Sequence, residues 1–262
     1  MSTPHQNTAL RHEDIVRALR ALGLTRGMVV LVHSSLSSLG WVEGGAATVT
    51  GALIDAVSPV GAVLVPTLTG TEQDDPEHPP IFDARTSPCW TGAISEAFRA
   101  RPMALRSRHP THSVAGIEQV IAAHEYCATP CVPDSPYGRL AELGVGVTHD
   151  SNTCLHMVEE LAGVPYHMQE RLALARVARD DGAWEEIPTA LHLWRWERNF
   201  PKVAPLLREA ATRREGVIGR AHSYLVDARA LRDVLVPMVR RDPLFLLADT
   251  ARTTYEAMKR HR

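Results

Sequence analysis

One stretch of the chain, residues 146–163, combines a carboxylate, several hydroxyl residues and histidines at short spacing. Asp150-Ser-Asn-Thr153 favours the start of a helix, because such side chains accept the first N–H groups of a helix. On the helix that follows, His156 and Glu159 are three residues apart and therefore lie on one face. A carboxylate one turn from an imidazole can hold its tautomer and raise its basicity, as a general base requires. The same spacing also fits a capped amphipathic helix whose histidine only forms a hydrogen bond.

The elements before this stretch predict the fold that positions it. Met28–His33 is an almost continuous apolar run of strand length, typical of a strand covered on both faces. A loop of small residues leads from it into a helix over 46–57 and a second strand over 62–66. This order predicts a crossover unit in an α/β sheet, whose ligands bind at the carboxyl ends of the strands. We predict a central mixed sheet with helices on both faces and a C-terminal α+β elaboration, in a single domain spanning 1–262.

The remaining patterns predict further helices and extended segments. The helices are expected over 12–22, 91–100, 171–178, 203–213, 230–241 and 244–259. An extended, aromatic-rich segment is expected over 184–196, and a pair of strands over 217–226 around Gly219.

Composition restricts the classes of function. With 45% hydrophobic residues, 22% charged residues and a net charge of −2, the chain has the composition of a soluble globular protein. This charge gives no reason to expect nucleic acid or an anionic membrane as a partner. No run reaches the roughly 18 apolar residues of a membrane span, and the first residues show no signal-peptide design, so we expect a cytoplasmic protein. A homodimer is compatible with the sequence, which does not fix the oligomeric state.

Thirteen histidines require metal binding to be considered. His109-x-x-His112, or His149 and Asp150 with His156, could supply ligands to zinc and make the protein a metal-dependent hydrolase. Neither spacing follows a known ligand framework, so we predict no metal. A metal-dependent hydrolase would lose its activity on chelation.

Several separated motifs, in order, resemble the aminoglycoside 3-N-acetyltransferase family. They are Val32-His-Ser-Ser-Leu-Ser-Ser-Leu-Gly-Trp-Val-Glu-Gly-Gly45, Leu64-Val-Pro-Thr67, Phe82-Asp83, Arg106-Ser-Arg-His-Pro-Thr-His-Ser113, Asp134-Ser-Pro-Tyr-Gly-Arg-Leu140 and His149-Asp-Ser-Asn-Thr-Cys-Leu-His-Met-Val-Glu159. The resemblance implies an enzyme that transfers an acetyl group from acetyl-CoA to the 3-amino group of an aminoglycoside antibiotic, without a metal.

The same resemblance implies roles for individual residues. His156 matches the catalytic histidine, with Glu159 and Asp150 as its acidic supports. The positions that match a loop lining coenzyme A are Ser34, Ser35, Leu36, Gly40 and Val42. Arg106, His109 and Ser113 match positions near its pantetheine and phosphates, and Thr67 and Asp83 match positions near the acetyl group and the substrate amine.

One segment departs from the family pattern. Relatives have a hydrophobic strand before the His-Asp-Ser motif, whereas here 140–148 is several residues shorter. We therefore expect a truncated strand, with a consequence for the placement of His156. A protein that binds coenzyme A or aminoglycoside without catalysis is a further alternative, and it would release no thiol from acetyl-CoA.

The acceptor is not fixed by these motifs. Glu72, Asp74, Asp75 and Glu77 lie in a proline-rich loop. Such a loop could attract a polycationic sugar, or it could be an ordinary solvated connection.

Overall fold

The computed structural model describes residues 9–116, 121, 129–131, 133–143, 145–148 and 153–260. Ten strands lie in these ranges: β1 (Val29–Val32), β2 (Ala62–Pro66), β3 (Ile81–Phe82), β4 (Leu105–Arg106), β5 (Val114–Gly116), β6 (Val145–Thr148), β7 (Ala173–Ala178), β8 (Trp184–Thr189), β9 (Arg213–Ile218) and β10 (Ala221–Asp227). The α-helices in the same ranges are α1 (His12–Leu22), α2 (Gly45–Val57), α3 (Ala93–Arg99), α4 (Pro136–Leu143), α5 (Cys154–Ala162), α6 (Ala204–Glu209), α7 (Ala228–Arg241) and α8 (Asp249–Arg260).

Seven strands form a mixed sheet in the order β4-β5-β2-β1-β6-β10-β9. The central strand β1 is parallel to both of its neighbours, β2 and β6, and the outer pairs are antiparallel. The other three strands form a small sheet in the order β3-β7-β8.

Both faces of the large sheet are covered. Val30 and Val32 of β1 pack into a cluster with apolar residues of α1, α2 and α3. Leu31, which points the other way, packs into a second cluster with residues of α4, α5 and α7. These three side chains are at most 2% exposed, which explains why β1 is apolar at every position. The predicted mixed sheet with helices on both faces is confirmed.

The strand expected to be truncated is present. Val145–Thr148 forms β6, which pairs in parallel with β1 and antiparallel with β10. Four residues therefore suffice to continue the sheet, and α5 follows this strand closely along the chain. The short segment 140–148 therefore still contains a strand before the His-Asp-Ser motif.

Three predicted helices differ from the structure, and the one expected over 244–259 begins only at Asp249. Residues 171–178, predicted to be helical, contain strand β7, which pairs with β8 along its length. The helix predicted over 203–213 ends at Glu209, and Arg213 already begins β9. Helices over 12–22 and 46–57, and the strand pair around Gly219, are confirmed. None of the helices in the described ranges is both long enough and apolar enough to cross a membrane.

Candidate active site

Helix α5 begins beside the end of β1, and a histidine joins the two elements. The Nε2 atom of His33 accepts a hydrogen bond from the backbone N–H of Thr153 at 3.0 Å and lies 2.7 Å from the hydroxyl of the same residue. Thr153 is the N-cap residue, but its side chain makes no hydrogen bond to its own helix, contrary to the capping we predicted. Burial, followed by the nearby His156, lowers the pKa of His33 to about 3, so this ring is neutral.

The predicted pair on α5 forms. The Nδ1 atom of His156 lies 2.7 Å from a carboxylate oxygen of Glu159, whose side chain is fully buried. A carboxylate oxygen can only accept, so Nδ1 carries the proton and Nε2 carries the lone pair. The imidazole is thereby held in the tautomer that a general base needs.

Glu159 is itself held by other groups. The oxygen that faces His156 also lies 2.9 Å from Nδ1 of His167, and the second oxygen accepts from Nε of Arg198 at 3.3 Å. Burial alone would raise the pKa of Glu159, but the hydrogen bonds from the two histidines hold it well below its usual value. The carboxylate is therefore ionised.

His156 keeps its base form at neutral pH. Burial lowers its pKa below 6.5, although the hydrogen bond to Glu159 acts in the opposite direction. Its side chain is 15% exposed, so the ring reaches a surface.

That surface is a cleft of about 380 Å³ at the carboxyl ends of β1 and β2. His156 lies on its wall together with His33, Thr153 and the aromatic residues Trp90, Trp194 and Phe200. Phe200 packs edge-on against His156 with ring centroids 5.1 Å apart, and the two tryptophan rings lie 6.3 Å apart. The cleft thus offers a base and aromatic faces in one cavity.

A second, larger cleft of about 840 Å³ lies beside the first. Its wall contains all five loop residues for which the resemblance implies contact with coenzyme A: Ser34, Ser35, Leu36, Gly40 and Val42. Gly44 and Gly45, at the start of α2, lie on the same wall. The two clefts share Ser34, Trp90 and Thr91, so a molecule in one lies next to a molecule in the other.

Other residues with implied roles are on neither wall. Arg106 donates from Nε to the hydroxyls of Thr67 and Ser113 and from its terminal nitrogens to the carbonyl oxygens of Thr67 and Ser87. Burial lowers the pKa of Arg106 to about 10, which leaves the guanidinium charged. Nδ1 of His109 accepts the backbone N–H of His112 at 3.1 Å. These residues brace the loop between β4 and β5.

The remaining predicted residues are separate from the base. Asp83 forms an ion pair with Arg85 at 3.2 Å and is absent from both cleft walls. Asp150, predicted as an acidic support, and His149 lie outside the described residues. In the acidic loop, Asp75 accepts the backbone N–H groups of Glu77 and His78.

Sequence reasoning missed several groups in the site. His167 and Arg198, which hold Glu159, come from irregular segments with no motif. The ring of His192 lies 4.9 Å from that of His156 and 4.0 Å from that of His167. His33 stands inside a motif that we quoted, so its position at a strand end was an available signal. A group that we did not consider, His156, His167 and His192, has one ligand atom from each residue within 4.8 Å of the others.

Comparisons with known proteins agree with this geometry. The family model for aminoglycoside 3-N-acetyltransferase matches residues 31–240. The chain is 32% identical to aminoglycoside N(3)-acetyltransferase IV from a Salmonella species over 90% of either chain.

Solved structures share the fold. A histidine-to-alanine mutant of aminoglycoside acetyltransferase AAC(3)-IVa in complex with a gentamicin matches with a TM-score of 0.78 and 30% identity, covering 93% of each chain. A binary complex of AAC-IIIb with CoASH matches with a TM-score of 0.73 and 26% identity, covering 89% of this chain and 98% of that one. With motifs, fold and clefts in agreement, this chain belongs to the aminoglycoside 3-N-acetyltransferase family and is an acyltransferase of that type.

Proposed function

We propose that the enzyme transfers the acetyl group of acetyl-CoA directly to the 3-amino group of an aminoglycoside, with His156 as general base. The observation that carries this proposal is the shared wall of the two clefts. The loop that resembles a coenzyme A loop lines the larger cleft, and His156 lines the smaller one. The two clefts meet at Ser34, Trp90 and Thr91. The thioester and the amine would react at this junction.

The larger cleft suits coenzyme A. Gly44 caps α2 without a side chain, and Gly44 and Gly45 lie on the cleft wall, so the N–H groups in the first turn of this thirteen-residue helix lie near the cleft, although that of Gly45 donates to the carbonyl of Val42. Such groups and the helix dipole favour a phosphate. The solved relative with CoASH bound supports the same choice of cosubstrate. Arg106, His109 and Ser113 would then act beneath the wall and shape it.

The smaller cleft suits the acceptor. Trp90, Trp194 and Phe200 give it aromatic faces, which attract a protonated amino sugar by cation–π interaction. The relative with a gentamicin bound supports an aminoglycoside here. Thr67 and Asp83 line neither cleft, so the roles that the resemblance implies for them toward the acceptor would be indirect.

The chemistry follows from the tautomer of His156. As the amine nitrogen attacks the thioester carbon, Nε2 of His156 takes the proton that the nitrogen loses. The C–S bond then breaks, and the departing thiolate takes that proton to become the coenzyme A thiol. Glu159 stabilises the imidazolium that forms between these steps.

The thioester oxygen needs a hydrogen-bond donor as charge builds on it. The turn at Thr67 cannot supply this donor, because its N–H already donates to the carbonyl of Ser113 and its hydroxyl forms a hydrogen bond with the Ser113 hydroxyl. Within the described part of the chain, the hydroxyl of Ser34 is buried without a hydrogen-bond partner, and Ser34 lies on both cleft walls. We assign Ser34 as this donor.

A free-thiol assay of acetyl-CoA turnover against a panel of aminoglycosides tests the proposal, and mass spectrometry with NMR locates the acetyl group. We expect thiol release that depends on the acceptor, acetylation at the 3-amino group, and full activity after treatment with a chelator. Acetylated enzyme formed without acceptor would contradict direct transfer. Activity lost on chelation and restored by metal would favour a metal-dependent enzyme instead.

A further inference from the structure

Three imidazoles from separate segments meet beneath the smaller cleft. His156 lies on α5, His167 follows Pro165, and His192 follows β8. Met168 and His192 form an isolated antiparallel bridge, which brings the last two segments together. One nitrogen from each ring lies within 4.8 Å of the others.

The carboxylate beside these rings orients two of them. One oxygen of Glu159 faces Nδ1 of His156 at 2.7 Å and Nδ1 of His167 at 2.9 Å. In metal sites, a histidine that binds through one nitrogen donates its other N–H to such a carboxylate. Each ring therefore directs Nε2 away from Glu159.

Two buried nitrogens of the group have no hydrogen-bond partner in the described structure. They are Nε2 of His167 and Nδ1 of His192, and both side chains are about 2% exposed or less. A buried polar atom without a partner is costly, and the transfer reaction uses neither nitrogen. Both nitrogens could therefore donate an electron pair to a metal ion.

The charge around the rings favours a cation. Glu159 and Glu160 contribute two carboxylates, and an oxygen of Glu160 lies 3.2 Å from Nε2 of His192. Arg198, which pairs with Glu159 and has a terminal nitrogen 3.3 Å from Nδ1 of His167, contributes one positive charge. Although burial lowers it, hydrogen bonds with the two carboxylates raise the pKa of His167. A divalent ion that displaces the proton of His167 would then be stabilised by the net negative charge of its surroundings.

We propose that His156, His167 and His192 bind a late first-row divalent cation such as Zn²⁺, and that this ion inhibits the enzyme by occupying the nitrogen that acts as base. Zinc–nitrogen bonds of about 2.0–2.1 Å place tetrahedral ligands about 3.4 Å apart, so the rings need to approach by about 1.4 Å at most. Imidazole ligands select zinc, copper and nickel over magnesium and calcium. The inhibition rests on the proposed role of His156, whereas the binding does not.

A neighbouring group of Cys131, Glu160 and His192 shares one ligand with this site. Both oxygens of Glu160 already accept the backbone N–H of Cys131, at 3.0 and 3.1 Å. The three-histidine group offers two buried nitrogens without a hydrogen-bond partner instead, so it is the better site.

Binding is measured on the full chain without a polyhistidine tag and without aminoglycoside, since polyamines chelate metals themselves. Visible absorption during Co²⁺ titration reports tetrahedral coordination, and competition with a chelating dye gives the Zn²⁺ affinity. We expect one ion per chain, with affinity lowered about 100-fold in His192→Gln and in His167→Gln. Thermal melts show whether each variant is folded.

Two matched variants separate this site from its neighbours. His112→Gln alters a buried histidine whose ring lies 4.1 Å from that of His192 but outside the group, and Cys131→Ser alters the competing site. We expect both to bind Zn²⁺ as the parent does. Affinity lost in Cys131→Ser and kept in His167→Gln, or no stoichiometric binding by the parent, would overturn the proposal.

Inhibition is then measured by thiol release with Zn²⁺ present, followed by excess chelator. We expect turnover to fall with the occupancy measured directly and to return fully on chelation. Stoichiometric Zn²⁺ binding without loss of turnover would overturn the inhibition. A chain that binds Zn²⁺ but turns over no acetyl-CoA under any condition would disprove the proposed function while leaving the metal site in place.

Discussion

The two clefts are built in different ways. The wall of the larger cleft comes mainly from one continuous stretch, Ser34–Gly45, with a second short stretch, Trp90–Ala93, opposite it. The histidine group beneath the smaller cleft collects side chains from α5 and from two irregular segments that are well separated along the chain. The first is open and local, whereas the second is buried, charged and assembled over long distance.

This difference explains how the two regions should respond to substitution. Most residues on the wall of the larger cleft are small, with Trp41 and Trp90 as exceptions, so most single side chains there should contribute little. In the histidine group, Glu159 serves three partners at once: His156, His167 and Arg198. Removing one buried charge there leaves the others without compensation.

The largest effect of a supporting residue is expected for Glu159→Gln. The amide cannot stabilise the imidazolium of His156, so kcat should fall by about 10²-fold or more. Stopped assays of thiol release measure this, and thermal melts report the loss of stability. Glu160→Gln is the matched control, because this neighbouring carboxylate faces His192 and the backbone N–H of Cys131. Equal losses in both variants would remove the distinction between the two carboxylates.

A large pH effect is expected on the acid side. Burial places the pKa of His156 below 6.5, so its base form predominates above that value and is lost as the pH falls. The rate kcat/KM should fall tenfold per pH unit below a midpoint that lies under 6.5. Since Glu159 raises this pKa, Glu159→Gln should move the midpoint further down. An acid limb with its midpoint above 6.5 would contradict the assignment of the base.

A smaller effect is expected for a change in the turn between β9 and β10, which contacts the loop at 34–45. Gly219, in the turn between β9 and β10, has φ +61, and a Cβ there would collide with the carbonyl oxygen of Leu39. That carbonyl accepts the N–H of Arg220 at 3.0 Å. Gly219→Ala should therefore displace the Ser37–Leu39 turn and raise the KM for acetyl-CoA about fivefold.

Gly182→Ala is the matched control for Gly219→Ala. Gly182 also has a positive φ of +85 in a hairpin turn, but a Cβ there meets nothing within 4 Å. We expect this variant to lose a similar small amount of stability with an unchanged KM. A change in KM common to both variants would show that the strain, not the contact with Leu39, is responsible.

The smallest effect is expected in the acidic loop. Asp75 is exposed and bonds within its own turn, and the loop contributes to neither cleft wall. The double change Asp74→Asn with Asp75→Asn should raise the acceptor KM by less than about threefold, and only at low salt. A larger change that persists at high salt would place the loop in direct contact with the acceptor.

The sequence predicts local features of this molecule well. The apolar run of β1, the helix that ends at Gly163 and the His156–Glu159 pair are all confirmed, because each depends on neighbours within a few residues. The role of the loop at 34–45 in binding coenzyme A, by contrast, is implied by the family resemblance and not by its local pattern, and it stays a proposal.

Strand β7 shows how the same reasoning fails. Its inward residues include Ala173 and Ala175, which are fully buried, whereas Leu172 and Leu174 are more than half exposed. Small residues inside and large ones outside reverse the usual alternation, and alanine and leucine both favour helices. Pairing with β8 overrides that preference.

Long-range groups could not be predicted at all. Nothing near His167, His192 or Arg198 in the sequence indicates that they meet around Glu159. Their approach depends on the packing of α5 against segments that have no regular structure.

The most direct test of the central claim is His156→Ala, studied by thiol release together with calorimetric titration of acetyl-CoA. The account predicts that kcat falls by about 10²–10⁴-fold while acetyl-CoA binds as tightly as before, because the coenzyme cleft is built from other residues. Near-normal turnover with intact acetyl-CoA binding would show that another group takes the proton from the amine.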